Sequence, residues 1–182
     1  MSPLKSTILL RENAKESNFK ELDLRPYKII HLATHGEISG AISGIDEPFL
    51  VLSPPDGSSE EDGLLKMSEI MSLDTNADLV VLSACNTASG DEVGSSGFSG
   101  LAKSFFMSGS KSVLVSNWYV ETYSAKEIII NLFKNLKDNP NYSISEGLNI
   151  TMKNMLKSEK ERSHPLFWAP FIVVGENKSL FF

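Results

Sequence analysis

Two residues of this sequence stand where their chemistry would be useful. His35 closes the apolar stretch of HLATHG (31–36) and is followed at once by Gly36, while Cys85, the sole cysteine, follows the apolar run of LVVLSACNTA (79–88). A thiolate is a strong nucleophile, and a nearby imidazole can activate it or protonate a leaving group. Attack on a carbonyl also needs backbone N–H donors aimed at the developing oxyanion. Gly36 has no Cβ to block a close approach, so its amide, with that of Cys85, is a candidate donor pair. A free cysteine also serves as a small buried hydrophobe. The question is therefore whether His35 and Cys85 meet.

The elements around them must answer it. YKIIHLAT (27–34) is apolar with little alternation, as in a strand covered on both faces, and DLVVLSA (78–84) and KSVLVSNW (111–118) share that character. STILL (6–10), FLVLS (49–53) and WAPFIVVG (168–175) read as further strands. Helices are expected over 12–22, 64–73, 100–109 with Gly109 as C-cap, 122–137 and 143–157. The helix over 122–137 is amphipathic, with Ile128, Ile129, Leu132, Phe133 and Leu136 recurring at three and four. Strands alternating with helices predict an α/β fold with a mostly parallel sheet. In such a sheet ligands sit beyond the carboxyl ends of the strands. Strand 27–34 would deliver His35 there, and strand 78–84 would deliver Cys85.

Composition narrows the function classes. With 182 residues and 41% hydrophobic content, the chain is long enough for one domain with a full core. A net charge of −6 and no Lys/Arg cluster argue against direct nucleic-acid binding. One cysteine excludes an internal disulfide. No run of about 18–20 apolar residues is present, so no membrane span is expected. The N-terminus lacks a signal-peptide pattern, so a cytoplasmic location is expected. His35, Cys85 and His164 lack the close ligand pairs of a zinc site, so no metal is expected. Gly94, Gly97 and Gly100 match neither phosphate-loop pattern, so no organic cofactor is expected either.

HLATHG, LVVLSACNTASG, GLAKSFFMSGSKSVLVSNWYVET and HPLFWAPFIVVG, in this order over about residues 8–176, resemble the successive motifs of the CHAT domain. That family is caspase-like, related to separase, and often joined to tetratricopeptide repeats. The His-to-Cys separation of about 50 residues is also that of caspases. The resemblance implies a three-layer α/β/α sandwich and a cysteine endopeptidase acting on protein or peptide substrates. It makes His35 the general acid/base, Cys85 the nucleophile and Gly36 an oxyanion donor. It further implies regulation by repeats or partner proteins, in a bacterial-type defence or signalling setting. Residues 1–182 are expected to form one catalytic domain, the C-terminal part of a larger region or protein. A non-catalytic protease-like interaction module is the rival reading, and a small-molecule hydrolase or transferase using the same dyad is a third.

Lesser candidates surround the dyad. Trp118 and Tyr119 end a strand on its edge, as a cleft wall or as a lid over the core. The family's W-x-V-x-D pattern places an acid to read a basic P1 side chain. Here Trp118-Tyr119-Val120-Glu121-Thr122 puts Thr122 at that position and Glu121 one residue early, so a basic preference is not carried over. Asp91 lies in the loop after Cys85, in a solvated turn or a specificity pocket. His31 is expected to be a structural side chain within its strand, and His164 a surface or structural one.

Overall fold

A computed structural model describes residues 6–57, 60–83, 100–158 and 162–180. Its strands form where Ile, Leu, Val and Phe run together. β1 (Ile29–Leu32), β2 (His35–Glu37), β3 (Phe49–Val51), β4 (Leu64–Lys66), β5 (Leu79–Leu82), β6 (Ser112–Ser116) and β7 (Phe171–Gly175) follow in chain order. The main sheet runs β1-β5-β6-β7, with β1, β5 and β6 parallel and β7 antiparallel to β6. Every residue of the central strands β5 and β6 is buried, whereas the outer strands β1 and β7 are only partly so. Unalternating apolar runs are what a strand covered on both faces requires.

Helices supply the cover. α1 (Glu16–Lys20), α2 (Met67–Met71) and α3 (Gly100–Met107) precede β6, and α4 (Thr122–Asp138) and α5 (Ile144–Ser158) follow it. Val80, Leu82, Val113 and Val115 share one core with Ile70, Leu101, Ala102 and Phe105 from α2 and α3. Leu79, Val81 and Leu114 share the other with Ile128, Ile129, Leu132 and Leu136 of α4 and Leu148 of α5. Alternate residues of β5 thus face opposite cores, the period of two that a strand imposes. The result is a three-layer α/β/α sandwich with a mostly parallel sheet.

Local signals set the long helices. Ser143 and Glu146 form a capping box at the start of α5: the Glu146 carboxylate accepts from the Ser143 N–H at 2.8 Å, and the Ser143 hydroxyl accepts from the Glu146 N–H at 3.4 Å. At the end of α3, Gly109 donates to the Phe106 carbonyl and Ser110 to that of Phe105, the two bonds of a Schellman motif. Gly109 has φ of +106° there, and a Cβ would lie 2.3 Å from the Thr75 carbonyl oxygen. Only glycine fits without displacing that backbone.

Four expectations need correction. The segment 27–34 does not run as one strand to His35: β1 stops at Leu32, the chain turns through Ala33 and Thr34, and His35 begins β2. Residues 64–73 are not one helix, because Leu64–Lys66 is a strand and only Met67–Met71 is helical. β2, β3 and β4 form a second, wholly antiparallel sheet, in which Leu65 pairs with a fully buried Leu50. Short apolar runs do not reveal by periodicity whether they are strand or helix, and tertiary pairing decides. Residues 6–10 form no strand and join neither sheet, and 12–22 splits into a 3₁₀ turn at Arg11–Asn13 and α1.

α1 is held by charge. Lys20 Nζ lies 2.8, 2.7 and 2.8 Å from carboxylate oxygens of Glu16, Glu61 and Glu69, and Glu16 also accepts from the Gly63 N–H at 3.0 Å. Glu16 is only 1% exposed. Its burial, with two further carboxylates sharing a single ammonium, raises its pKa from the ordinary 4.5 to about 6. These three carboxylates are, among the described residues, the group spaced to hold a metal ion. Lys20 already lies at their centre.

Candidate active site

The carboxyl ends of β1, β5 and β6 share one edge of the main sheet, and the antiparallel β7 starts there, with Phe171 opposite Ser116. The described residues that directly follow a parallel strand or precede β7 therefore gather at that edge, the place where a parallel sheet presents ligand-binding groups.

His35 reaches it by way of a tight exit from β1. It is exposed, opposite Val51 of β3, and the preceding Thr34 hydroxyl donates to the Val51 carbonyl. Gly36 follows within β2, half-buried and opposite Leu50. β5 ends at Leu82, and Ser83 just beyond donates its N–H to the Leu32 carbonyl at 3.2 Å. Cys85 is two residues further along; it and Asp91 lie outside the described residues.

His31 has the structural partner expected of a histidine within its strand. It sits opposite Val81, and its Nε2 lies 2.7 Å from the Ser83 hydroxyl oxygen on the neighbouring strand's exit. Its outer surface is exposed rather than core-facing, yet enough of the ring is desolvated to hold its pKa below the ordinary histidine value. Imidazole is therefore the neutral form near pH 7, and either neutral tautomer makes this bond. The sequence signal, a Ser two positions before the cysteine and a His on the adjacent strand, was present but mute without the register. A cavity of about 560 Å³ opens along the free edge of β1, lined by His31, His35, Thr34, Leu32 and Tyr27 among others.

The remaining candidates lie after β6. Trp118 is partly exposed and donates its indole N–H to the Leu166 carbonyl at 3.2 Å; Tyr119 is 63% exposed. The segment before β7 runs beside them, with the Asn117 N–H donating to the Pro170 carbonyl at 3.0 Å. Glu121 caps α4: its carboxylate accepts from the Ser124 N–H at 3.0 Å, the Ser124 hydroxyl at 2.8 Å and the Tyr123 N–H at 3.2 Å. The Ser124 hydroxyl, then these amides and Arg162 nearby, hold its pKa below the usual carboxylate range. Arg162 stacks 3.9 Å from the centre of the Tyr123 ring. His164 caps the 3₁₀ turn Pro165–Phe167 through Nδ1, a structural duty. No helix among the described residues is long and apolar enough to cross a membrane.

Comparison with known proteins agrees with this architecture. The profile of the CHAT domain matches residues 2–176. Tetratricopeptide repeat protein 28 of Mus musculus is 28% identical over 160 residues, which is 81% of this chain and 6% of that protein. Its namesake in Homo sapiens is 31% identical over 117 residues, 64% of this chain and 5% of that protein. The chain thus spans a small fraction of the curated relatives it matches.

Proposed function

This chain belongs to the CHAT domain family, and on that premise we propose that it is a cysteine endopeptidase using His35 and Cys85. The observation that carries the reading is that β1 and β5 are parallel neighbours, so the strand leading to His35 and the strand leading to Cys85 leave the sheet side by side.

The chemistry follows from those residue types. The Cys85 thiolate attacks the scissile carbonyl carbon, and the carbonyl π electrons move to oxygen. The amides of Gly36 and Cys85 hold that oxyanion. On collapse the C–N bond breaks, and the departing amine takes a proton from the His35 imidazolium. Water, giving its proton to His35, then attacks the thioester. The acyl–sulfur bond breaks, releasing a carboxylate product and restoring the thiolate. Neither metal nor organic cofactor is needed for these steps.

Trp118 and Tyr119, exposed at the same edge, wall the cleft for an extended protein substrate. Glu121 contributes through the position of α4 rather than as a free acid in the pocket. The tetratricopeptide repeats named in the relatives support control by repeats or by a partner protein; a cytoplasmic defence or signalling setting is part of the proposal and rests on the family resemblance alone.

Cleavage of a diverse peptide library, read by mass spectrometry for this chain and its Cys85→Ala variant, tests the proposal. Cuts made only by the native chain are expected, each reporting the residue before the scissile bond. Absence of cuts at every substrate and added partner would leave a protein-interaction module instead.

A further inference from the structure

Among the described residues, the side chains of His31 and Ser83 cross-link the exits of β1 and β5. In the sequence, His35 follows His31 after three intervening residues, and Cys85 follows Ser83 after one. In a parallel pair the backbone ladder ties neighbouring strands, and its last rung among the described residues is the 3.2 Å bond from the Ser83 N–H to the Leu32 carbonyl. The 2.7 Å bond from His31 Nε2 to the Ser83 hydroxyl adds a second tie at the same level. His31 lies opposite Val81, so its ring reaches diagonally along the sheet to a residue two positions further on.

We infer that the His31–Ser83 pair is a positioning clamp that holds the approach to Cys85 in register with the approach to His35. The inference rests on the dyad reading and deepens it. Its chemistry is not that of a second base. The His31 ring is committed to a hydroxyl rather than to substrate, and desolvation lowers its pKa, disfavouring the imidazolium. Its contribution is geometric. A dyad whose members come from separate strands loses rate steeply when either shifts, and an error of about 1 Å costs on the order of 10²-fold. The pair lies at the surface end of both strands, where truncation leaves the two cores intact.

The test is the alkylation rate of Cys85 by iodoacetamide across pH 5–9, alongside peptide cleavage. The proteins are the native chain, His31→Ala, Ser83→Ala, the double variant and Ser83→Thr. Native Cys85 is expected to react faster than a free thiol. Each single truncation should lower both rates by about 10- to 10²-fold. The double variant should lose no more than the worse single, because both remove one bond. Ser83→Thr, which keeps the hydroxyl, should recover most of the loss, and the pH midpoints of cleavage should stay in place. Single effects below twofold, additive effects in the double variant, or loss of the pH limb with His31→Ala would overturn the clamp while leaving the dyad. A native Cys85 no faster than a free thiol would instead overturn the dyad itself, and the clamp with it.

Discussion

Glu16 gives the sharpest quantitative consequence of this fold. Three carboxylates share the ammonium of Lys20, and the most buried of them has its pKa raised from 4.5 to about 6. The sign follows from linkage: a group titrating higher in the folded state stabilises it below the unfolded pKa and loses that contribution as pH rises through the folded one. A displacement of this size corresponds to about 2 kcal/mol in full. Between pH 5 and pH 7 roughly 1 kcal/mol of it is lost. Glu61, whose pKa is lowered mainly by Lys20, titrates below this window with the opposite slope. Glu16→Gln keeps an oxygen for the Gly63 N–H while removing the titration. Urea unfolding at pH 5, 6 and 7 should therefore show the native-minus-variant stability falling by about 1 kcal/mol as pH rises. That is a relative midpoint change of about 0.5 M at an m value near 2 kcal/mol/M. Contributions from groups that the substitution leaves untouched cancel in the difference. A flat or rising difference would refute the account of the cluster.

Other outcomes are equally specific. Gly109→Ala should cost roughly 3–5 kcal/mol, since a Cβ 2.3 Å from the Thr75 carbonyl oxygen must push that backbone aside and strain a positive φ. Gly44→Ala, also at positive φ but with nothing within 4 Å of its Cβ, should cost only about 1–2 kcal/mol by the same denaturation assay. Glu121→Ala removes the cap of α4 and should lower stability by about 1 kcal/mol. Its P1 preference in the peptide library should be unchanged; a shift there would assign the carboxylate to substrate after all. His35→Ala should reduce cleavage by about 10²-fold or more, with circular dichroism unaltered.

What the sequence determined alone was the layer plan and the two long helices. β5 and β6 are legible because burial on both faces demands unbroken apolar runs, and α4 and α5 because one apolar stripe and a local cap suffice to specify them. The sequence also marked His35 and Cys85 as residues following apolar strands, and the strands before them, β1 and β5, are parallel neighbours. Tertiary structure alone decided the rest. Leu64–Lys66 became a strand because β3 offered a paired edge, which no local period encodes. Lys20 met Glu61 and Glu69 across 41 and 49 residues of chain. His31 found Ser83 across 52, through a register that only strand packing sets. Patterns with a period survive in one dimension; contacts between distant residues depend on how whole faces pack, and those faces exist only once the chain has folded.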